Sequence, residues 1–183
     1  MATTQQITTA EQLLLRASEL GSCELVGGEL VMMTPAGFEH GRIASQILIE
    51  LGQFLKGKSL GVVTNGDTGF LIARNPDTVR APDVAFIAAA RVPQENIGGF
   101  FPGAPDLAVE VVSPNDRASD FLAKVQSWLD AGSQLVWVVD PELHTISVYH
   151  GQRAVVLLRR SDVLTGEDVL PGFTVPVGEI FAR

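Results

Sequence analysis

Residues 107–139, LAVEVVSPNDRASDFLAKVQSWLDAGSQLVWVV, decide the fold that the sequence predicts. An apolar run over 107–112 and an unbroken apolar run over 135–139 are typical of β-strands, and the second is typical of a strand covered on both faces. Between them, residues 117–131 carry apolar side chains at helical spacing, and Gly132 ends that pattern. A strand, a helix and a second strand of these lengths predict a right-handed crossover between two parallel strands.

Hairpins and further helices are predicted on both sides of this unit. Capping residues, apolar spacing and turn dipeptides indicate a helix capped by Thr8 or Thr9 and ending near Glu19, a hairpin over 23–33 around Gly27-Gly28, a helix over 40–55, paired strands 61–64 and 68–72 around Asn65-Gly66, a strand over 84–88, a loop over 91–105 and a hairpin over 145–158. We therefore expect an α/β (α+β) fold in one domain over residues 1–183. A mixed central β-sheet is flanked by helices, and an N-terminal helix and hairpin are added to it.

The composition is that of a globular chain. Of the 183 residues, 46% are hydrophobic and 19% are charged, which excludes an intrinsically disordered protein. Cys23 is the single cysteine, so an intramolecular disulfide and a zinc site built from several cysteines are both excluded. No apolar run approaches the roughly 18 residues of a membrane span, and residues 1–6 lack the basic start of a signal peptide. We expect a soluble, cytoplasmic protein with no membrane partner.

The charge balance argues against a general affinity for nucleic acid. The chain has 13 Lys and Arg against 21 Asp and Glu, a formal net charge of −8, and its pI is about 4.8. Proteins that bind nucleic acid usually present a basic face to the phosphates. The acidic residues are spread along the chain, so a local positive groove remains compatible with the sequence.

Two carboxylates stand out by their context. Asp83 begins the strand predicted over 84–88, and Glu110 lies inside the apolar run over 107–112. A charge in such a run is costly to bury unless it is paired or binds a metal. Two carboxylates on neighbouring strands provide the oxygen donors that Mg²⁺ binds, with a backbone carbonyl and waters completing the set. A metal held in this way activates water and offsets the charge on a phosphate.

Each acid also has a purely structural interpretation. Alternation puts Glu110 on the same strand face as Ala108, where a strand-edge position or an ion pair to Arg80 is the alternative to a metal site. Pro82-Asp83 is also a common turn dipeptide. From the residues alone, both alternatives stay open.

Lys124 lies on the flank of the apolar face of the predicted helix, four residues after Asp120. One interpretation is an Asp120–Lys124 pair on the solvated surface, which contributes about 0.2–0.5 kcal/mol. The other interpretation directs the ammonium past the strand ends toward a phosphate, where it stabilises developing negative charge.

Three further polar residues are candidates. His40 opens the first long helix, where it is a possible ligand, phosphate contact or general base, although most isolated histidines are none of these. Glu50 lies on the same helix and Asp67 next to the Asn65-Gly66 turn, and both also fit a plain polar surface. No Gly-x-Ser-x-Gly elbow, phosphate-binding glycine loop or Cys-x-x-Cys metal motif is present.

Taken in order, these segments resemble the Uma-two family of endonucleases, which is similar to the PD-(D/E)XK restriction-endonuclease superfamily. The resemblance rests on RAPDVAF (80–86), PDLAVEVVSP (105–114), Lys124 and WVVDP (137–141), and it extends from the hairpin at 28–30 through Thr34-Pro35 and His40 to LPGF (170–173). It covers nearly the whole chain, and it implies a restriction-endonuclease-like fold and Mg²⁺- or Mn²⁺-dependent cleavage of DNA.

The resemblance also implies roles for individual residues. Asp83 corresponds to the first metal acid and Glu110 to the second. The lysine of the superfamily normally stands two residues after the second acid, where this chain has Val112. In this family the lysine role is transferred to the following helix, at the position of Lys124. Asp120 matches a recurrent acid one turn earlier that orients the lysine.

The leading hypothesis is a metal-dependent DNA endonuclease. In it, Asp83, Glu110 and the carbonyl of Val111 hold Mg²⁺ or Mn²⁺, and Lys124 positions or deprotonates the attacking water. His40, at the start of the first long helix, completes the catalytic set. The supporting residues in this hypothesis are Asp120, Glu50 and Asp67.

Two other functions are compatible with the sequence. The first is a catalytically inactive nuclease-fold module that acts as a dimeric or partner-binding protein, which the charge of −8 and the displaced lysine favour. The second is hydrolysis of a small phosphorylated metabolite. Restriction-endonuclease relatives often dimerise, and the apolar segment 97–102 is compatible with a homodimer interface.

Overall fold

The computed structural model describes residues 6–114, 116–151 and 153–182. Its helices are α1 (Ala10–Leu20), α2 (Phe38–Leu55), α3 (Ala118–Asp130) and α4 (Val177–Ile180). Its strands are β1 (Cys23–Val26), β2 (Glu29–Met32), β3 (Gly61–Asn65), β4 (Phe70–Ala73), β5 (Thr78–Arg80), β6 (Val84–Ala88), β7 (Phe101–Pro102), β8 (Leu107–Val111), β9 (Leu135–Asp140), β10 (Thr145–Tyr149), β11 (Val156–Leu158), β12 (Val163–Thr165) and β13 (Thr174–Pro176).

Two sheets contain most of these strands. The larger has the order β11-β10-β9-β8-β6-β3, and within it β8 and β9 run parallel while the other neighbours are antiparallel. The second has the order β2-β1-β5-β4-β7, and β12 pairs with β13 alone. The predicted crossover β8-α3-β9 and the mixed sheet flanked by helices are therefore confirmed.

Alternation along β8 divides the core into two layers. Leu107, Val109 and Val111 face α2, where they pack in one cluster with Ile43 and Ile47. Ala108 faces the opposite way and packs in a second cluster under α3 with Val125 and Trp128. Because side chains alternate along a strand, Glu110 shares the α3 face with Ala108. The larger sheet is thus covered on both faces, as the apolar runs predict.

The second sheet packs over the α3 side of the larger one. The Phe70 side chain on β4 is fully buried and meets the Trp128 ring edge-on, with ring centroids 6.0 Å apart. Trp128 on α3 therefore lies between the two sheets. This contact brings the N-terminal hairpin, β1-β2, toward the face on which Glu110 lies.

The prediction that residues 61–64 and 68–72 pair with each other is wrong. β3 pairs with β6 in the larger sheet, while β4 pairs with β5 and β7 in the second. A turn dipeptide specifies a local reversal of the chain but not the strand that completes each ladder. Here β6 has buried side chains on both faces, and β3 satisfies its otherwise open edge.

The predicted loop over 91–105 also differs from the structure. Phe101 is buried in β7 and packs against Phe70, and Phe100 joins the cluster around Leu25 and Val79. The two phenylalanines that made segment 97–102 a predicted interface therefore face the interior. They cover the second sheet, because its inner face would otherwise expose apolar surface to water.

No helix among residues 6–114, 116–151 and 153–182 is long and apolar enough to cross a membrane.

α1 is attached to the second sheet through its N-terminus. Thr9 caps the helix in a reciprocal capping box with Gln12, as predicted. The N–H of Ala10 donates to Asp77 Oδ2 at 2.8 Å, and Arg74 Nη1 donates to the same oxygen at 3.0 Å. The Ala10 N–H bond is the main reason that the pKa of Asp77 is lowered from its ordinary value of 3.8.

The Asp77→Ala variant is expected to lower the free energy of unfolding by about 2 kcal/mol, since hydrogen bonds to a charged group contribute about 1.5–3 kcal/mol. A folded-state pKa below 3.8 means that this stabilisation is present above pH 3.8 and is lost as the pH falls through the folded-state value. Urea unfolding of wild type and variant should therefore converge at acidic pH. Asp168→Ala, at an exposed turn, is the control. An unchanged difference at all pH values would contradict this account.

Candidate functional site

The antiparallel pairing of β6 and β8 brings Asp83 and Glu110 to the same end of the larger sheet. Val84 pairs with Val109, so Asp83, one residue before β6, lies beside the C-terminal end of β8. Its Oδ2 accepts a hydrogen bond from the N–H of Val111 at 2.7 Å. The structure thus brings together the two acids that sequence analysis selected, with the backbone of Val111 next to them.

Glu110 is nearly inaccessible to solvent, with 2% of its surface exposed. Its Oε1 accepts a hydrogen bond from Trp128 Nε1 at 2.7 Å, and its Oε2 lies 2.8 Å from Lys124 Nζ. Both partners are on α3, four residues apart, so they lie on one face of the helix. The crossover helix therefore supplies both partners of the buried strand carboxylate.

The surroundings of Glu110 oppose its ionisation. Burial raises the pKa of Glu110 to about 7, and the charge of Asp83 acts in the same direction. The ammonium of Lys124 lowers this pKa but does not cancel the cost of burial. An added positive charge would stabilise the ionised form of a buried carboxylate whose pKa is near neutrality.

Lys124 is held between two carboxylates. Its Nζ lies 2.8 Å from Glu110 Oε2 and 3.4 Å from Glu24 Oε1, and 15% of its side chain is exposed. Burial alone lowers the pKa of Lys124, but the charges of Glu110 and Glu24 outweigh it, so the pKa is raised above the ordinary 10.5. Lys124 is therefore a permanent cation at neutral pH.

Glu24 is the site residue that sequence analysis missed. It lies on β1 in the N-terminal hairpin, is 4% exposed and contacts both Lys124 and Arg80. The signal was the same as for Glu110: one acid between apolar neighbours in a short strand, here Cys23 and Leu25. No local pattern indicates that this hairpin reaches α3, because that contact depends on the packing of two sheets.

His40, in the first turn of α2, contacts Asp83 as well. Its Nε2 lies 3.2 Å from Asp83 Oδ2. This hydrogen bond raises the pKa of His40, while burial lowers it to a smaller extent and the charges of Asp116 and Glu110 add to the increase. The four residues that the sequence hypothesis named as catalytic are therefore linked by direct contacts: His40 to Asp83, and Glu110 to Lys124.

The three predicted supporting residues lie apart from these contacts. Asp120 is exposed and accepts a hydrogen bond from Ser119 Oγ at 3.1 Å; within the described residues no ion pair joins it to Lys124. Glu50 accepts a hydrogen bond from Gln46, and the exposed Asp67 accepts one from Asn65. The expected contact of Asp120 with Lys124 is wrong, because the lysine side chain turns inward to two buried acids.

The alternative ion pair of Glu110 with Arg80 is also absent among the described residues. Arg80 Nη1 instead donates to Glu24 Oε2 at 2.8 Å. The i,i+4 pair between Asp120 and Lys124 is absent as well, because Lys124 contacts the buried acids Glu24 and Glu110. The structure therefore replaces both simple pairs with one buried network that joins the two sheets to α3.

The donor chemistry of this site fits a hard divalent cation. Three carboxylates, on Glu24, Asp83 and Glu110, face two cations, on Lys124 and Arg80, which gives a formal charge of −1. Both contacts of Asp83 use Oδ2, and no hydrogen bond or ion pair to its Oδ1 occurs within the described residues. No group of three or more His, Cys, Asp or Glu in that part of the chain is arranged as a metal site. A cation here would depend on two carboxylates with backbone and water oxygens.

Comparison with known proteins agrees with this architecture. A crystal structure described as "a putative nuclease belonging to DUF820", from Anabaena variabilis, superposes with a TM-score of 0.77 at 18% sequence identity, covering 92% of this chain and 96% of that one. At this identity the similarity establishes the fold. A search of curated proteins finds no match.

The family model Uma2, described as "Putative restriction endonuclease", matches residues 10–178. The match includes β1 with Glu24, α2 with His40, the strands with Asp83 and Glu110, and α3 with Lys124. The chain belongs to the Uma2 family, as the sequence resemblance predicts.

Proposed function

We propose that this protein is a Mg²⁺- or Mn²⁺-dependent nuclease that hydrolyses phosphodiester bonds in DNA. The observation that carries the proposal is the Lys124 ammonium, held 2.8 Å from the buried Glu110 carboxylate and near Asp83 at one sheet end. Two acids and a cation at one point are the groups that metal-assisted phosphoryl transfer requires. Membership of the Uma2 family and the nuclease-like fold support the same conclusion.

Asp83, Glu110 and the carbonyl of Val111 would hold the cation. Bound there, the cation would supply Lewis-acid stabilisation and lower the pKa of water. Asp83 fits this role because its Oδ2 is fixed by the Val111 N–H and by His40, while its Oδ1 makes no hydrogen bond or ion pair within the described residues. His40 orients this carboxylate from α2.

Of the two roles proposed for Lys124, charge stabilisation is favoured over proton abstraction. A general base must lose its proton near the working pH. The raised pKa of Lys124 keeps the ammonium protonated instead. We therefore infer that Lys124 donates a hydrogen bond to a nonbridging phosphate oxygen and neutralises charge that develops as the bond to the leaving group breaks. His40 is then the remaining candidate for proton transfer.

Family membership supports DNA as the proposed substrate. The net charge of −8 opposes that binding. Asp120, Glu50 and Asp67 remain predicted supporting residues. A homodimer also remains a prediction. The two phenylalanines of segment 97–102 no longer support it, because they face the interior. A cytoplasmic location also remains a proposal, and it rests on the composition of the chain.

Divalent cations are expected to raise the unfolding temperature of the wild-type protein. A cation at about 100 times its Kd adds about 2.7 kcal/mol to the stability of the folded state. For a chain of this size that corresponds to an increase of about 5–11 °C. Asp83→Asn and Glu110→Gln should each lose most of this increase, because the amide has no charge to offer the metal.

The measurement is thermal unfolding over a Mg²⁺ and Mn²⁺ titration at low salt, with Asp130→Asn, an exposed acid on α3, as the control. The control should keep the full increase. If the unfolding temperature of wild type does not rise with either metal, the proposed metal site is refuted. The interpretation as a catalytically inactive module is then favoured. If both acid variants show the same increase in unfolding temperature as wild type, the metal binds at another site.

Lys124→Ala is expected to reduce turnover about 100-fold to 1,000-fold, the usual effect of removing one donor that stabilises transition-state charge. The variant should keep its metal-dependent thermal shift, since the metal ligands remain. The assay is nicking of plasmid DNA with Mg²⁺ or Mn²⁺, and Lys56→Ala, at an exposed lysine, is the matched control. Cleavage by Lys124→Ala at the wild-type rate would refute the assignment. Cleavage of small phosphate esters but not of plasmid would instead favour a metabolite phosphodiesterase.

A further inference from the structure

Glu24 connects three separate parts of the chain through one carboxylate. Oε2 accepts a hydrogen bond from Arg80 Nη1 at 2.8 Å. Oε1 accepts one from the N–H of Ala81 at 3.0 Å and lies 3.4 Å from Lys124 Nζ. The side chain of Glu24 is 5% exposed and that of Arg80 is 11% exposed, so little water competes for these contacts.

The first consequence concerns the segment that carries Asp83. Arg80 ends β5 in the second sheet, and β6 of the larger sheet begins at Val84. Glu24 binds both the guanidinium and the next backbone N–H in this short connection. The carboxylate therefore fixes the direction in which the chain leaves one sheet and enters the other, just before Asp83.

The second consequence concerns the lysine. A lysine side chain has several rotatable bonds and loses up to about 2 kcal/mol of conformational entropy when it is fixed. A contact with Glu110 alone would fix its ammonium at one point, and Glu24 provides a second point from a different sheet. These two carboxylates hold the ammonium from different sides, and no third ion-pair partner of Nζ occurs within the described residues.

We propose that Glu24 is a positioning residue: from the N-terminal hairpin it holds the Lys124 ammonium in place beside Glu110. This inference rests on the proposed nuclease function and extends it. The carboxylate acts through the lysine and does not touch the substrate. The hairpin β1-β2 is accordingly part of the catalytic architecture in addition to covering the core.

The competing explanation is that Glu24 serves only to neutralise Arg80. A buried ion pair that loses one partner costs about 3–5 kcal/mol, so the single variant Glu24→Gln risks unfolding for this reason alone. The informative comparison is therefore between Arg80→Gln and the double variant Glu24→Gln/Arg80→Gln. These two proteins both lack the guanidinium and differ only in the charge of residue 24.

The first readout is the mobility of the Lys124 side chain, measured by NMR relaxation of lysine-labelled protein. The sequence contains only three lysines, at 56, 58 and 124, and Lys124→Arg assigns the third signal. We expect Lys124 to be as ordered in Arg80→Gln as in wild type. In the double variant its mobility should rise clearly above that in Arg80→Gln, because only the contact with Glu110 then holds the ammonium. An equally ordered Lys124 in both variants overturns the proposal, whatever their nuclease activity.

The second readout is the metal-dependent cleavage of plasmid DNA. The double variant is expected to show a kcat about 10-fold to 100-fold below that of Arg80→Gln with KM unchanged, because misplacement of a catalytic group affects turnover more than binding. Glu24→Asp/Arg80→Gln, which restores the charge on a shorter side chain, should recover part of the loss. If Arg80→Gln and the double variant have equal kcat values although Lys124 is more mobile in the double variant, the contact between Glu24 and Lys124 does not contribute to catalysis and the proposal is overturned.

The two proposals fail in different ways. If the wild-type protein does not cleave DNA with either metal, the nuclease function is refuted, and the relaxation data still decide whether Glu24 holds Lys124. If wild type cleaves and Lys124→Ala does not, but the double variant equals Arg80→Gln in both readouts, the nuclease function stands and the role of Glu24 is refuted.

Discussion

The buried contact between Glu110 and Lys124 is the interaction on which the candidate site depends. A carboxylate with 2% exposure inside a core strand is costly to ionise, and burial raises its pKa to about 7. Trp128 and Lys124 offset part of this cost from one face of the crossover helix. The same helix covers the core over β8 and β9, so the crossover that forms the core also brings the charge pair together.

The second sheet contributes to the network around this pair. Phe70 and Trp128 pack the two sheets together, and Glu24 then reaches the lysine from β1. Arg80 and Ala81 tie the connection that leads to Asp83 to the same carboxylate. Strands from two sheets and two helices thus converge on one largely buried site, where charge interactions are stronger than in water.

This arrangement gives each polar residue a separate task in the proposed chemistry. Asp83 is held by Val111 and His40, which leaves one oxygen for a cation, and Glu110 has a charge that a cation would stabilise. Lys124 is kept protonated by two acids, which suits stabilisation of charge on a phosphate. The net charge of −8 means that any affinity for DNA must come from local groups and a bound metal, since the chain has no overall attraction for phosphate.

The sequence by itself determined the crossover unit and the faces of β8, because apolar periodicity is a local signal. It made Glu110 a candidate through a charge inside an apolar run, whereas the roles of His40, Asp83 and Lys124 came from the family resemblance and remain predictions. Only the tertiary structure decided that β3 and β4 belong to different sheets, that Phe101 faces inward and that Lys124 contacts Glu24 while Asp120 stays on the surface. These outcomes depend on which surfaces meet when the two sheets pack. The buried partner of each residue is then chosen among residues far apart in the chain, and no local sequence pattern indicates which of them it will be.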